Sequence, residues 1–323
     1  MENIRDFTEE LKDNIMRCVP EELAEGLKLT DTIVTKVNDQ KLYGLSFQKE
    51  GVEAAPTIYV NQLYERYNDG DPMQGLAIET THMYLDSLSH PAACKEPPDL
   101  SFDKIKDSLT LKLVEIKRNR GYLADIPYMS LGNGLAAVCD IRLDAPDNSG
   151  IWSTTVTRQM MENYQYDKTE VFRQAMMSAR SVDPPTMVSM GGRLFEAQVS
   201  SNMLSDNSRV SDGDKEPMYV LSNESGVYGA AALFYPGMQE QIAEKLGESY
   251  YALPSSLHEF IIVPESAGVN LPDLSEMVKV ANETVVEPKD VLSDTVLHYD
   301  RDEKKLESIT HAPGMDAKLQ EAR

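Results

Sequence analysis

The sequence predicts an α+β protein, in which antiparallel sheets are built from β-hairpins and carry helices on one face. Three stretches indicate this class, because each has the order strand, turn, strand and helix: residues 32–69, 135–165 and 218–248. Their turns contain Asn, Asp or Gly, which are typical of hairpin connections. The residues of the three stretches do not match one another, so we infer a recurring ββα unit and not a sequence repeat.

The first hundred residues predict a helix, a hairpin and two further helices. Apolar residues recur at helical spacing in the opening helix, which ends before Pro20: Ile4, Phe7, Leu11 and Ile15. Residues 32–48 alternate around a turn at Asn38 and Asp39, as a hairpin does. A helix after Pro56, ended by Gly70, and another over residues 73–88 complete this part.

The middle of the chain begins with a connection rich in proline at residues 90–100. Residues 103–119 give the clearest helical pattern of the chain, because four apolar residues follow at spacings of four, four and three: Ile105, Leu109, Leu113 and Ile116. Strands are expected at residues 135–143 and 151–157. Two helices follow, one beginning near Thr157 and one over residues 168–181.

The last third predicts two more hairpins, and two segments without regular structure. The elements are, in order, a hairpin of residues 218–221 and 227–234, a helix from Pro236 to Leu246, a hairpin of residues 250–253 and 259–263, and a helix over residues 271–283. Residues 181–217 are rich in Ser, Met, Gly, Asp and Pro, which predicts a mobile loop. Residues 301–323 are expected to form a frayed tail.

The charge distribution is consistent with two α+β halves, residues 1–125 and 126–300. The chain has 323 residues, with 53 acidic and 31 basic side chains and a net charge of -22. Residues 1–100 carry a net charge of -10 and residues 201–300 a net charge of -12, whereas residues 101–200 are neutral. The acidity therefore belongs to the two outer thirds of the chain.

Composition excludes several classes of function. A net charge of -22 argues against direct binding of nucleic acid or of an anionic membrane by the whole chain. The N-terminus lacks an apolar signal sequence, and no stretch approaches about 18 consecutive apolar residues. Three widely spaced cysteines, Cys18, Cys94 and Cys139, are typical of reduced thiols in a cytoplasmic protein. No phosphate-binding glycine motif occurs, so we expect no cofactor.

One short segment contains the residue types of a hydrolase. Ser255, Ser256, His258 and Glu259 supply a nucleophile, a base and an orienting group within five residues. Successive side chains of a hairpin point to opposite faces, and Ser is an ordinary turn residue. We therefore favour a structural role for this segment over a catalytic one.

A second segment contains three residues that could ligate a metal. Glu79, His82 and Asp86 stand at spacings of three and four, which places them on one side of a helix. Carboxylates and imidazole bind divalent metals, but no second His-rich helix is available to complete the ligand shell. An acidic helix face with an incidental histidine is the favoured interpretation.

The sequence resembles an uncharacterised domain family that is common in gut anaerobic Firmicutes. The resemblance is carried by YVLSNESGVYGAAALFYPGMQEQIAEKLG (219–247), YYALPSSLHEFIIVPE (250–265), PTIYVNQLYERYNDG (56–70) and VTRQMMENY (156–164), and it extends to about residue 300. A more distant resemblance is to another uncharacterised bacillar family with the same hairpin-then-helix order. Neither family implies a known activity. Members often lie near mobile-element genes, which implies a role linked to such elements.

Three functional hypotheses follow, of which the first is favoured. The first is a non-enzymatic module that binds an unknown protein partner, and the second is the hydrolase described above. The third is an acidic mimic of nucleic acid. A monomer of this size exposes about 13,000 Å², or about one net charge per 600 Å². B-DNA carries about one charge per 100 Å², so mimicry requires the acidic groups to gather on one face.

Overall fold

The computed structural model describes residues 3–49, 56–89, 99–143, 152–191, 202–206, 208–211, 213 and 215–309. The chain forms two compact units, Met1–Pro98 and Asp99–Arg323. Both contain helices and antiparallel sheets, so the α+β prediction is confirmed. The boundary expected between residues 125 and 126 lies inside the second unit, between two strands that pair along their length, Leu109–Glu115 and Leu135–Leu143.

The first unit contains a three-stranded antiparallel sheet in the order β1-β2-β3. Its elements are α1 (Ile4–Cys18), α2 (Glu21–Ala24), β1 (Leu27–Thr35), β2 (Lys41–Lys49), β3 (Thr57–Tyr59), α3 (Asn61–Asn68) and α4 (Met73–Ser89). The opening helix and the first hairpin are thus found where the sequence predicts them. The segment after Pro56 begins as a strand and becomes helical only at Asn61.

The core of the first unit lies where helices α1 and α4 cover the sheet. Phe7 and Leu11 of α1 are fully buried, as the helical spacing of apolar residues predicts. Phe47 of β2 stacks on Tyr84 of α4, with 4.4 Å between the ring centroids. Aromatic pairs of this kind stabilise a core beyond the area that they bury.

Truncating a core residue of this sheet is expected to destabilise the unit strongly. Leu45 on β2 is 0 % exposed, whereas Ile33 on the partner strand is 47 % exposed. Leu45→Ala leaves a cavity and should lower the free energy of unfolding by about 2–5 kcal/mol. Ile33→Ala should lower it by less than about 1 kcal/mol. Urea unfolding of both variants tests this, and equal losses would contradict the difference in burial between the two side chains.

The second unit contains two antiparallel sheets. Its elements are α5 (Phe102–Ile105), β4 (Leu109–Glu115), α6 (Tyr122–Asp125), β5 (Tyr128–Gly132), β6 (Leu135–Leu143), β7 (Trp152–Thr155), α7 (Arg158–Asn163), α8 (Lys168–Val182), β8 (Pro185–Ser189), β9 (Tyr219–Asn223), α9 (Met238–Leu246), β10 (Tyr250–Ser256), β11 (Glu259–Pro264), α10 (Leu271–Thr284), β12 (Leu297–Asp300) and β13 (Lys305–Ser308). One sheet has the order β4-β6-β5, with β7 also paired to β6, and the other has the order β13-β12-β10-β11-β9-β8.

The long helix expected over residues 103–119 is wrong. Only a short helix, α5, forms, and strand β4 follows it. Residues four apart lie on the same face of a helix and also of a strand, so Leu109 and Leu113 fit both patterns. Leu111, midway between them, also points to that face of the strand, and all three are buried. The local sequence fits a helix and a strand equally well, and pairing within the sheet selects the strand.

The third expected hairpin is also wrong. Strand β9 forms, but residues Gly229–Phe234 are a 3₁₀-helix and not a strand. The neighbours of β9 in the sheet are β8 and β11, which come from distant parts of the chain. The stretch 218–248 therefore does not have the order strand, turn, strand and helix, and the recurring ββα unit is not confirmed.

Two segments expected to lack structure contain strands. Strand β8 lies within residues 181–217, and Asn202 covers its outer edge by bonding the Met187 amide at 3.1 Å and the Pro185 carbonyl at 2.9 Å. Strand β13 lies within the expected tail 301–323. The rest of both predictions falls largely on residues 192–201, 207, 212, 214 and 310–323, which lie outside the described residues.

Candidate functional site

The second unit buries a polar stripe on one face of its four-stranded sheet. Thr110 on β4 pairs with Asp140 on β6, which pairs in turn with Thr155 on β7, so the three side chains share a face. Lys112 and Arg142, each two residues further along its strand, lie on the same face because side chains alternate. A stripe of this kind is unusual in a sheet whose opposite face is apolar, since buried charges are costly unless they are paired.

Lys112 is the buried cation at the centre of this stripe. Its side chain is 6 % exposed, and its ammonium lies 3.0 Å from the Asp140 carboxylate. The ammonium also donates a hydrogen bond of 2.7 Å to the Thr155 hydroxyl. Two rings flank it, with 5.6 Å to the centroid of Tyr122 and 5.1 Å to that of Tyr228. Aromatic faces attract cations, so these contacts reinforce the ion pair.

The environment of Lys112 keeps its ammonium charged. Burial lowers the pKa of Lys112, but Asp140, Tyr122 and Tyr228 together outweigh burial and place the pKa above its ordinary value. A lysine that acts as a nucleophile needs the opposite shift, because only the neutral amine attacks. Lys112 is therefore suited to holding elements together and not to covalent chemistry.

Tyr228 reaches Lys112 through a backbone conformation that few residues adopt. Its φ is 53° and its ψ is 27°, in the left-handed region. Gly229 follows directly, where a Cβ atom would lie 2.2 Å from the Ser222 hydroxyl and 2.6 Å from the His258 carbonyl. Only glycine allows so close an approach, so this pair of residues fixes the ring beside Lys112.

Both ring nitrogens of His258 face groups of the fold. Nδ1 accepts a hydrogen bond of 3.0 Å from the Tyr228 amide. Nε2 lies 3.5 Å from an Asp290 carboxylate oxygen. The imidazole also stacks on the Tyr228 ring, with 5.7 Å between centroids. The tautomer that carries its proton on Nε2 leaves Nδ1 able to accept the Tyr228 amide and directs an N–H towards Asp290.

A second ion pair lies on the same stripe. The Arg142 guanidinium donates to both oxygens of Asp183, and the Thr110 hydroxyl donates to that carboxylate at 2.9 Å. Burial, followed by the charge of Asp183, raises the pKa of Tyr235. The Tyr235 hydroxyl and Arg142 Nε are buried without a hydrogen-bond partner among the described residues. The stripe as a whole thus balances one buried and one partly buried cation with two buried carboxylates.

The four residues of the hydrolase hypothesis lie at the turn between β10 and β11. The Ser255 hydroxyl donates to Glu259 Oε1 at 3.2 Å, and the Ser256 hydroxyl accepts from the His258 backbone amide at 3.0 Å. The imidazole of His258 is directed to Tyr228 and Asp290. These contacts are typical of a turn that is held by its own side chains.

The three residues of the metal hypothesis lie on α4 in the first unit. Glu79 forms an ion pair of 2.9 Å with Arg66, and His82 and Asp86 are exposed. Within the described ranges, no group of three His, Cys, Asp or Glu side chains is arranged to hold a metal ion. Cys18 and Cys139 are free thiols, and Cys94 lies outside the described residues.

The sequence reasoning found His258 but missed the buried pair beside it. Lys112 is the one charge in the run LTLKLV, and Asp140 and Arg142 are the two charges in the run VCDIRL, which is otherwise apolar. A charge inside an apolar strand is the signal that predicts a buried ion pair, since such charges need a partner. The assignment of residues 103–119 to an amphipathic helix hid this signal, because a helix would expose Lys112.

Comparison with known families identifies one match. A model described as a family of unknown function, DUF5688, matches residues 4–301. This confirms the resemblance to an uncharacterised family over nearly the whole chain. Searches of curated proteins and of solved structures returned no match. Among the helices of the described residues, none is both long enough and apolar enough to cross a membrane.

Proposed function

We propose that this chain, which belongs to the DUF5688 family of unknown function, is a module that binds a protein partner without catalysing a reaction. The strongest support is that the side chains of the second unit that could act in catalysis are already in contact with other residues of the fold. His258 has both ring nitrogens facing fold groups, and Lys112 is held charged by Asp140. These contacts favour a role in the fold over proton transfer by His258 or nucleophilic attack by Lys112.

The charge of the chain indicates the chemistry of the partner. Residues 1–98 carry 18 acidic and 9 basic side chains, and residues 99–323 carry 35 and 22. Both units are thus acidic, with net charges of -9 and -13. Complementary potentials speed association and suppress wrong partners, so the partner surface should be basic. We place the complex in the cytoplasm, and a link to mobile elements is part of the proposal.

Affinity capture at two ionic strengths tests the proposal. The full chain serves as bait in extract of its native cells, beside an unrelated acidic protein of similar net charge. We expect a protein retained by this chain alone at about 20 mM salt and largely released at about 300 mM, because salt screens surface charges. Purified, that protein should bind the chain in calorimetry. A partner held equally by both baits would contradict specific binding.

Turnover assays test the alternative of a hydrolase. We expect the wild-type chain to give no hydrolysis of ester, peptide or phosphoester substrates above the background rate. The variants Ser255→Ala, Ser256→Ala and His258→Gln should therefore equal the wild type. Turnover by the wild type that His258→Gln abolishes would contradict the proposal and support the hydrolase.

The affinity capture also tests the alternative of a nucleic-acid mimic. Capture of a nucleic-acid-binding protein that DNA displaces would support the mimic instead.

A further inference from the structure

A surface pocket of about 350 Å³ lies between α9 and the turn that joins β12 to β13. Glu240 and Glu244 of the helix form one wall, and Arg301, Asp302 and Lys304 of the turn form the other. Residues four apart on a helix lie side by side, so the two glutamates present their carboxylates together. The volume is at the small end of the range for ligand sites and fits one long side chain.

Tyr299 lines this pocket and is the unusual member of the group. It is 1 % exposed, and its ring stacks on Tyr250 with 5.3 Å between centroids. The Tyr250 hydroxyl donates to the Gln239 carbonyl at 3.4 Å, whereas the Tyr299 hydroxyl, in a residue that lines the pocket, has no hydrogen bond to a described residue. A buried phenol normally has a partner for its hydroxyl. The free hydroxyl is therefore available to a group that enters the pocket.

The charges around Tyr299 favour a positive group. Burial and the negative charges of Glu240, Glu244 and Asp300 raise the pKa of Tyr299. Lys245 of the same helix forms its ion pair with Asp206, at 2.6 Å, and not with Glu240 or Glu244. Arg301 is engaged, since its guanidinium donates to the Gly247 carbonyl at 3.0 Å. The exposed charges of Asp302 and Lys304 offset each other on the turn.

We propose that this pocket binds a lysine or arginine side chain of the protein partner. The cation would lie between the carboxylates of Glu240 and Glu244 and donate a hydrogen bond to the Tyr299 hydroxyl, whose oxygen can accept one. Hydrogen bonds between charged groups are the strong ones, so a few of them suffice to orient a side chain. This inference rests on the proposed function and names the chemistry that the partner must present.

Binding of a basic peptide to pocket variants tests the inference. The probe is an acetylated and amidated peptide of alternating lysine and glycine, titrated into the full chain at about 20 mM salt. The variant Glu240→Gln/Glu244→Gln should weaken binding by about tenfold. Tyr299→Phe removes only the hydroxyl and should weaken binding by about threefold, with the thermal midpoint unchanged, because that hydroxyl has no partner to lose.

A matched control separates the pocket from the general acidity of the chain. Glu276→Gln/Glu283→Gln removes two exposed carboxylates from α10, in the same unit, and should change binding by less than about twofold. Losses as large as those of Glu240→Gln/Glu244→Gln would overturn the inference, since the peptide would then sense only net charge. Unchanged binding by both Tyr299→Phe and Glu240→Gln/Glu244→Gln would overturn it too.

Two further results distinguish this inference from the proposed function. If Glu240→Gln/Glu244→Gln captures the native partner as well as the wild type does, the pocket is wrong and the binding function stands. If the peptide binds the pocket but no partner is captured, the function is wrong and the pocket stands. Free spermidine is the second probe. If it displaces the peptide at an equal or lower concentration, the pocket binds small polyamines, and the inference that it binds a side chain of a protein partner is overturned.

Discussion

Replacing Lys112 by methionine is expected to lower the free energy of unfolding by about 3–5 kcal/mol. The substitution leaves the Asp140 carboxylate, which is 4 % exposed, without its cation. Removing one partner of a buried pair is costly because the remaining charge is neither hydrated nor neutralised. The pKa of Lys112 is raised in the folded state, so the stabilisation persists through neutral pH and is lost only in strong alkali. Urea unfolding measures the loss.

A double variant and a surface lysine provide the controls for this prediction. Lys112→Met/Asp140→Asn should cost about 2–3 kcal/mol less than the sum of its two single variants, because it removes the uncompensated charge. Lys305 forms an ion pair with Glu307 and is 64 % exposed, so Lys305→Met should leave stability nearly unchanged. Additive single effects at Lys112 and Asp140 would show that the two residues do not interact.

Replacing Gly229 by alanine is expected to lower the free energy of unfolding by about 3 kcal/mol or more. The new Cβ would lie 2.2 Å from the Ser222 hydroxyl, 2.6 Å from the His258 carbonyl and 2.7 Å from the Asn223 amide. Two of these atoms are backbone and cannot move aside without disturbing β9 or the turn after β10. The 3₁₀-helix that begins at Gly229 must then shift, and the Tyr228 ring with it. Urea unfolding again measures the effect.

The same substitution in an open position is the control. Gly75 lies in the first turn of α4, where an added Cβ would meet only the Pro72 side chain at 3.6 Å. Gly75→Ala should leave stability unchanged or raise it by up to about 1 kcal/mol, because alanine is the better helix former. A cost at Gly229 no larger than that at Gly75 would contradict the close packing of Tyr228, Gly229 and His258.

The sequence predicts helices and strands well where the spacing of apolar residues fits only one of the two. The helix α10 begins and ends near its expected residues, and the hairpin of β1 and β2 turns where expected, although β1 begins at Leu27 and not at residue 32. Where apolar residues stand four apart or in an unbroken run, as in β4 and in residues 229–234, local sequence cannot separate strand from helix. The sheet decides these cases, because only a distant partner strand completes the backbone hydrogen bonds.

The candidate site is less accessible to sequence reasoning than the fold. The hydrolase hypothesis rests on four residues that are close together in the chain: Ser255, Ser256, His258 and Glu259. In the structure, however, the neighbours of the His258 ring are Tyr228 and Asp290. Lys112 and Asp140 are 28 residues apart and meet only through the pairing of β4 with β6. A site built from separate strands has no local motif, and only its isolated charges reveal it.

The position of the proton on the His258 ring decides whether this side chain serves the fold or is available for catalysis. Nitrogen NMR of the full chain, labelled at its histidine rings and compared with His258→Gln for assignment, reports which ring nitrogen carries the proton. We predict a proton on Nε2 and an unprotonated Nδ1 that accepts the Tyr228 amide. A ring protonated at Nδ1, or an Nε2 bonded to a serine hydroxyl, would contradict a role of His258 in the fold and would support a catalytic role.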